Sequence, residues 1–248
     1  MNKLTVIVTG ASSGIGKAIA GYFLDKGHNV VMNSSNADNL TGTYQEFGSP
    51  ANAVAVAGDT GQKDVGETLV STALDRFGSV DVLINNAGLF ESKPFLDVEE
   101  KDLDKFLNTN LKGTYFTTQA AIAQMLKQNG GAVINIGTVL VDHAIAGFPA
   151  SAAVISKGGI HALTRQLASE FGKHNIRVNA IAPGIIRSPL QGKMGITDAD
   201  SLAGLHLLNR IGETRDVAEA AYYLATSNFV SGEVLHVDGG HTAGHNFG

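Results

Sequence analysis

Short runs of β-branched and other apolar residues alternate along this chain with longer segments in which apolar residues recur at helical spacing. The short runs predict strands at 4–8, 29–32, 53–57, 80–84, 132–136, 176–182 and 234–237. The longer segments predict a helix after the first strand, ending at Gly27, and helices at 62–77, 100–127, 152–171 and 214–225. Because alternating strands and helices favour βαβ units, we predict an α/β fold: a doubly wound, parallel seven-stranded sheet with helices on both faces.

The 248 residues contain no internal repeat, low-complexity tract or linker, and this length is normal for one α/β domain. We therefore expect a single domain over residues 1–248. The segment 187–209 breaks the pattern, because proline and glycine residues stand there among scattered apolar ones. Such a segment is typical of a flap of short helices that covers a substrate.

The composition excludes several classes of function. A formal net charge of −5 argues against a nucleic-acid partner, which favours a basic surface. The chain has no cysteine, which rules out disulfides, thiolate nucleophiles and thiolate metal sites. Its apolar runs are shorter than the roughly 18 residues of a membrane helix, and the run at 4–8 is too brief for a signal peptide. We expect a soluble, cytoplasmic protein with no nucleic-acid or membrane partner.

A glycine-rich segment, TGASSGIG at residues 9–16, stands between the first predicted strand and the first predicted helix. Glycines permit a tight turn and leave no Cβ between the backbone and a ligand. The N-terminus of the following helix offers free N–H groups to a phosphate. This strand–turn–helix arrangement predicts a Rossmann-like site for the pyrophosphate of a nicotinamide dinucleotide.

The glycines of this segment are separated by three residues and then by one, unlike the commoner G-x-G-x-x-G pattern. This spacing resembles that of the short-chain dehydrogenase/reductase family. The resemblance extends along the chain, through NNAG at 85–88, NLKG at 110–113, PGIIRS at 183–188 and VDGG at 237–240. Five motifs in the family's order carry the resemblance, where any one alone would be weak.

The resemblance implies a set of contacts with the cofactor, from its phosphates to its nicotinamide. Asp59 would meet the adenine, and Lys157 would bind the nicotinamide ribose. The other implied contacts are Gly10, Ser12, Ile15 and Gly16 at the phosphates, Asn86 and Gly88 near the adenosine ribose, and Pro183, Gly184, Ile186 and Ser188 at the nicotinamide end.

The residues after the second strand bear on the choice of cofactor. An acidic residue there would bind the ribose 2′-OH and repel a 2′-phosphate. This chain has Ser34 and Ser35 there, within NSSN at 33–36, and no carboxylate before Asp38. Against the phosphate, no arginine or lysine is placed to pair with it, and Ser13 occupies the turn position where relatives that prefer the phosphate often carry a basic residue. We predict that these serines border the ribose, with a modest preference for NADP(H) over NAD(H).

The catalytic set that the resemblance implies is incomplete. Hydride transfer to a carbonyl needs a proton donor, which the family provides as a tyrosine four residues before a lysine. The lysine is Lys157, but Ala153 stands at the tyrosine position, and Thr138 stands at the position of the family's serine. Asn110 matches the asparagine that extends the family's proton relay. Alanine has no proton to give, so another group would have to act.

Two explanations for Ala153 stay open: an engineered change of the tyrosine, or natural divergence. Two further departures favour divergence. One is Thr138, and the other is Ile155, at a position where the family usually has a small residue. His143, in the loop after the fifth strand, is a candidate acid, since an imidazole donates protons near neutral pH. Water held by Thr138 and Lys157 is another candidate, whereas serine hydroxyls are poor acids unless activated.

The remaining histidines show no cluster that would bind a metal. His241 and His245 are four residues apart, but Gly244 lies between them and a regular helix is not predicted there. We interpret this segment as a solvated or interface tail and predict no metal site.

Three hypotheses for the function follow. The leading one is an NAD(P)-dependent oxidoreductase that acts on a small carbonyl or alcohol substrate. The alternative is a protein of the same fold that binds the cofactor without efficient catalysis, as a regulator or inert subunit. Non-redox chemistry on the same scaffold ranks last, because the nucleotide-binding turn is intact. Family members commonly form tetramers or dimers through two long helices and the last strand, and the apolar segment 229–237 fits such a homo-oligomer.

Overall fold

A computed structural model describes residues 3–189, 192 and 198–244 of the chain. At its centre, seven parallel strands form one sheet: β1 (Thr5–Val8), β2 (Asn29–Ser34), β3 (Ala53–Ala57), β4 (Val82–Asn85), β5 (Gly131–Ile136), β6 (Ile176–Pro183) and β9 (Val234–Val237). They lie in the order β3-β2-β1-β4-β5-β6-β9. A separate pair consists of β7 (Ile186–Arg187) and β8 (Gly212–Glu213). The predicted fold class is confirmed.

Helices pack against this sheet through two apolar cores. In the described residues they are α1 (Gly14–Asp25), α2 (Ala37–Glu46), α3 (Lys63–Phe77), α4 (Glu100–Phe106), α5 (Gly113–Gln128), α6 (Ser151–Phe171) and α7 (Thr214–Thr226). Val6 and Val8 of β1 belong to one core, with residues of α1 and α7. Ile7 belongs to the other, with residues of α3 and α5. Successive side chains of a strand point to opposite faces, so both faces of the sheet are covered.

The seven strands of the central sheet were predicted, whereas the two-residue strands β7 and β8 were not. The predicted helices differ from the observed ones in two respects. The helix expected at 100–127 is interrupted by a π-helical turn, Leu107–Lys112, between α4 and α5. Helix α2 was not predicted, because Leu40 is its only buried aliphatic residue and its mean hydropathy is low. Within 187–209, the structure has a 3₁₀ helix at Ala199–Leu205. Seven residues of the expected flap, 190, 191 and 193–197, lie outside the described residues.

A buried polar network fixes α5 and α6 on the sheet. The Asn85 amide group at the end of β4 donates to Thr118 Oγ1 (2.8 Å) and Asn135 Oδ1 (2.9 Å), and Asn85 Oδ1 accepts from Thr117 Oγ1 (2.6 Å). Asn135 on β5 donates in turn to Thr164 Oγ1 on α6 (2.9 Å). Satisfied buried networks specify one arrangement of the elements they join. The helices that carry Asn110 and Lys157 are therefore held in register with the strand ends.

Within the described ranges, the helices are too short or too polar to cross a membrane.

The sheet reverses its strand order at β1 and β4, which lie side by side at its centre. In open α/β sheets, ligands bind at such a point, beyond the carboxyl ends of the strands.

Candidate functional site

A cavity of about 1020 Å³ opens at the carboxyl ends of the strands. One end lies against the glycine turn and the end of β2, and the other lies under the loop after β5 and the 3₁₀ helix Ala199–Leu205. The predicted site residues that line it are Gly10, Ser12, Ser13, Ile15, Ser34, Ser35, Asp59, Asn86, Gly88, Thr138, Lys157, Pro183, Gly184, Ile186 and Ser188. Gly16, Asn110 and His143 are not among the described residues that line it.

The spacing of the glycines reflects how Asn86 packs on the turn. The Asn86 amide donates to Thr9 O (3.1 Å) and Gly10 O (3.2 Å). A Cβ on Gly10 would lie 2.8 Å from Asn86 Nδ2, and a Cβ on Gly16 would overlap the same nitrogen and Gly10 O. Gly10 and Gly14 also have positive φ angles, +65° and +53°. Side chains at these positions would break the turn, whether or not a ligand is bound.

The start of α1 leaves N–H groups available to a ligand. Ser13 is the N-cap residue of α1, but its side chain makes no capping hydrogen bond. The first N–H groups of a helix have no partner within the helix, and an anion can satisfy them. The Thr9 hydroxyl accepts from Asn86 N and Ala87 N, both at 3.0 Å, and so holds the NNAG segment beside the turn. This turn fits a pyrophosphate.

The end of β2 presents hydroxyl and amide groups to the cavity. Ser12 Oγ and Ser34 Oγ lie 2.9 Å apart, and Ser34 Oγ accepts from Asn36 N at 3.2 Å. Asn36 Oδ1 caps α2 by accepting from Asn39 N at 2.8 Å, so the positive end of the α2 dipole faces this region. Sequence reasoning missed Asn36 as a lining residue. The signal was an N-cap asparagine with Asp38 in the first helical turn.

Lys157 lies on α6 with its side chain buried against the end of β5. Its Nζ donates to Ile136 O at 2.6 Å. Burial lowers the pKa of Lys157 to about 8, because an ammonium group is poorly solvated there. A Cβ on Gly88 would lie 3.2 Å from Lys157 Nζ and 3.0 Å from Asn110 Oδ1. The absence of a side chain at Gly88 therefore lets the lysine and the asparagine approach the same stretch of backbone.

Asn110 lies in the π-helical turn and is completely buried. Its amide nitrogen donates to Leu89 O (3.0 Å) and Ser156 Oγ (2.8 Å), and its Oδ1 accepts from Leu89 N (2.7 Å). The Ser156 hydroxyl donates to Ala153 O at 2.7 Å. Asn110 thus pins the segment after β4 to the start of α6. Its part in a proton relay stays a prediction.

Apolar packing fills the space around Ala153, the position of the family's tyrosine. Ala153 is buried in a small cluster with Phe106 and Ala152, against which Leu89 and Phe90 pack. Among the described residues that line the cavity, Ala153 is absent, whereas Leu89 and Phe90 are present. The described residues that line the cavity therefore include no phenol.

The loop after β5 brings Thr138 to the cavity wall. Thr138 is the N-cap residue of a 3₁₀ helix, Val139–Val141, and its Oγ1 accepts from Leu140 N at 3.3 Å. His143 follows this helix and is half-buried, with its ring edge-on to that of His241 at a centroid distance of 5.1 Å. The predicted acid His143 therefore contacts the His241 ring, which lines the cavity, and is not itself among the described lining residues.

The prediction that His241 belongs to a solvated or interface tail is wrong. His241 is 3% exposed and lines the cavity. Asp238 folds this segment back, since its carboxylate accepts from Gly240 N (2.9 Å) and Thr242 N (2.8 Å). His245 lies outside the described residues. In the described part of the chain, no three histidine or carboxylate side chains are grouped closely enough to hold a metal ion.

Comparisons with known proteins agree with this geometry. Residues 10–242 match a family model described as Enoyl-(Acyl carrier protein) reductase. The chain is 36% identical, over 94% of both chains, to (2S)-[(R)-hydroxy(phenyl)methyl]succinyl-CoA dehydrogenase subunit BbsD of Thauera aromatica. It is 33% identical, over 94% of this chain and 96% of the relative, to 3-oxoacyl-[acyl-carrier-protein] reductase FabG of Thermotoga maritima. A solved structure, ElxO with NADP bound, has a TM-score of 0.90 at 33% identity, covering 98% of this chain and 100% of that one.

Proposed function

This chain belongs to the short-chain dehydrogenase/reductase family, and from that premise we propose that it transfers a hydride between NADP(H) and a small carbonyl or alcohol substrate. The observation that carries the proposal is the continuity of the cavity. The glycine turn, Lys157 and Thr138 border one space of about 1020 Å³, whose far end has the apolar side chains of Leu202 and Leu205. That volume is large enough for a dinucleotide and a small substrate together.

Each part of the cavity has a role in this proposal. The glycine turn and the start of α1 hold the pyrophosphate, Asp59 meets the adenine, and Lys157 holds the nicotinamide ribose. Pro183, Gly184, Ile186 and Ser188 border the nicotinamide. When bound, the nicotinamide supplies or accepts the hydride. The Thr138 hydroxyl hydrogen-bonds the substrate oxygen, and the 3₁₀ helix Ala199–Leu205, as part of the flap, excludes water from the reacting groups.

A preference for NADP(H) is supported by the groups at the end of β2. Ser34, Ser35, Asn36 and Asn39 line this region, and Asp59 is the only carboxylate among the described lining residues. The N-terminus of α2 faces the same region and favours an added phosphate. The solved relative ElxO has NADP bound. A site that excludes the 2′-phosphate would carry a carboxylate in this region. Neutral hydroxyl and amide groups beside a helix N-terminus suit the 2′-phosphate instead.

A second candidate function is a subunit that binds the cofactor without efficient catalysis. Two observations favour it: Ala153 is sealed in an apolar cluster, and a relative that is 36% identical is named as a dehydrogenase subunit. The oxidoreductase and the non-catalytic subunit would both bind the cofactor, but only the oxidoreductase would turn over a substrate. The sequence-based expectation of a cytoplasmic location applies to both.

The purified chain is titrated with NADPH and with NADH, and NADPH oxidation is then followed with cyclohexanone and with a 3-oxoacyl thioester. We expect tighter binding of NADPH and measurable oxidation with at least one carbonyl. NADPH binding without oxidation would favour the non-catalytic subunit. Binding of NADH about tenfold tighter than that of NADPH would overturn the cofactor preference.

The variant Ser35→Asp sharpens the measurement of cofactor preference, with Ser35→Asn as its matched control. A carboxylate at this position would repel the 2′-phosphate and accept from a ribose hydroxyl. The aspartate variant should therefore lose affinity for NADPH and keep its affinity for NADH. The asparagine variant should resemble the parent chain.

A further inference from the structure

Two phenylalanines on the cavity wall have no role in the chemistry described above. The rings of Phe90 and Phe148 lie nearly parallel, with centroids 6.0 Å apart and planes inclined by 11°. Both residues line the cavity and are half-buried. A third ring does not fit between them, because two ring contacts of about 3.5 Å each would need about 7 Å. A ligand therefore packs against the outer sides of this pair.

The backbone holds these two rings together. Phe90 lies in the loop after β4, and Phe148 lies in the loop between β5 and α6. Pro149 O, next to the second ring, accepts from Lys93 N at 2.9 Å and from Ser92 Oγ at 2.8 Å. These hydrogen bonds join the two loops, so the pairing of the rings is part of the fold.

The pair lies close to the residues that the resemblance assigns to the chemistry. A Cβ on Gly88 would lie 3.2 Å from Lys157 Nζ. Consecutive Cα atoms are about 3.8 Å apart, so the Cα of Phe90 lies at most about 7.6 Å from that of Gly88. Phe90 also packs against the apolar cluster that contains Ala153. The other ring belongs to the loop that contains Thr138, and both of these residues line the cavity.

The charges around the cavity favour an uncharged substrate. Lys157 is the only lysine or arginine among the described residues that line it, and its Nζ already donates to Ile136 O at 2.6 Å. The far end of the cavity has the apolar side chains of Leu202 and Leu205. Burying a charge without a partner is far more costly than burying an apolar group. A carboxylate on the substrate would therefore weaken binding.

We infer that the substrate is an uncharged ketone or secondary alcohol that carries an aromatic ring, and that the Phe90–Phe148 pair determines this specificity. This inference rests on the proposed function. The substrate ring contacts the pair edge-on or in offset stacking, and such aromatic contacts stabilise by more than the buried area alone. A saturated six-membered ring also buries apolar surface but makes no aromatic contact.

The test compares phenylacetone with cyclohexylacetone, whose carbonyl groups are both unconjugated and whose difference lies in the remote ring. NADP⁺ has no hydride to give, so the affinity of the NADP⁺-saturated chain for each ketone is measured by calorimetry without turnover. The ratio kcat/KM with NADPH is measured separately. We expect phenylacetone to bind about three- to tenfold more tightly and to have a kcat/KM higher by a similar factor. A 4-carboxy derivative of phenylacetone should bind at least about tenfold more weakly than phenylacetone.

The variants Phe90→Leu and Phe148→Leu remove one aromatic ring each and keep an apolar side chain. Each should weaken the binding of phenylacetone and leave the binding of cyclohexylacetone and of NADPH unchanged, so that the preference disappears. The unchanged NADPH affinity shows that the variant is folded. Phe95→Leu is the matched control and should keep the parental preference. Phe95 is 73% exposed in the 3₁₀ turn Phe95–Asp97 and is not among the described lining residues.

Several results would overturn the inference alone. They are equal or unmeasurable affinities of the parent chain for the two ketones, undiminished binding of the carboxylate, and leucine variants that keep the preference. A preference lost only because cyclohexylacetone binds more tightly would also overturn it, since that result reports space and not aromatic contact. A chain that binds phenylacetone selectively but oxidises NADPH with none of the carbonyl compounds would support the ring specificity and overturn the proposed hydride transfer.

Discussion

Ala153, at the position where the family has its tyrosine, is buried in a small apolar cluster. Phe106 belongs to this cluster, and Leu89 and Phe90 pack against it. A large ring forced into such a cluster typically costs about 1–3 kcal/mol of stability.

The pair Ala153→Tyr and Ala153→Phe separates the bulk of the ring from its hydroxyl. Both changes should lower stability to urea by a similar amount, because both rings overfill the cluster. Only tyrosine supplies a proton, so it alone should raise turnover above that of the parent chain, by about tenfold or more. Equal turnover in the two variants would show that the hydroxyl does not reach the substrate.

Single residues of the site were predictable where a local rule applies. The glycines at 10 and 14 satisfy positive φ angles within a short turn, and Lys157 falls within a recognisable motif. The wrong interpretation of His241 has a different cause. Its burial depends on Leu205 and on the turn at Asp238, and these contacts are distant in sequence or depend on the closure of the fold.

Among the elements, the strands of the central sheet were predicted well because most are short apolar runs, and β1 and β4 are buried throughout. The π-helical turn at Leu107–Lys112 was not predicted, because π-helices are rare and occur mostly as single turns inside α-helices. Its consequence is functional, because it carries the buried Asn110. Helix α2 was missed because it has almost no apolar face. It contributes its N-terminus to the site instead.

Helix α6 carries two buried titratable groups one turn apart, Lys157 and His161. Burial lowers the pKa of His161 to about 4, and the nearby Asp142 carboxylate opposes this only in part. The unfolded chain binds this proton near pH 6.5, so between pH 6.5 and 4 the unfolded state holds more protons. His161 therefore makes stability fall as the pH drops through this range.

The variant His161→Gln should lack that dependence. Between pH 7.5 and pH 5, urea unfolding of the parent chain should lose on the order of 1 kcal/mol more than the variant does. His174→Gln, on an exposed turn, serves as the control and should follow the parent chain. Parallel pH profiles for the parent chain and His161→Gln would mean that the folded state binds the proton as readily as the unfolded one.

For the whole molecule, the sheet order explains why the site assembles from distant segments. Because β1 and β4 are adjacent, the glycine turn meets the NNAG segment, and because β9 pairs with β6, the last turn returns beside the cavity. The parallel order could be predicted from the alternation of strands and helices. The side chains that the turn after β9 brings to the cavity could not be predicted in this way, because their positions depend on where the sheet ends.

That last strand also bears on assembly. β9 is an edge strand of the sheet, and Phe229, shortly before it, is fully exposed. Tyr115 on α5 and Ile155 on α6 are exposed apolar side chains as well. Edge strands with exposed apolar neighbours are usually covered, and pairing with a second copy is one way to cover them. We therefore predict a homo-oligomer, a tetramer or a dimer, built in part through the segment 229–237.

Light scattering on the purified chain should give a mass that is a multiple of 25.8 kDa, four-fold for a tetramer or two-fold for a dimer. Phe229→Lys should lower that mass, because a buried ammonium at an interface has to be desolvated. Leu96→Lys, at an equally exposed leucine in the 3₁₀ turn Phe95–Asp97, should leave it unchanged. A parent chain of 25.8 kDa in solution would contradict assembly, and an unchanged mass in Phe229→Lys would move the interface away from β9.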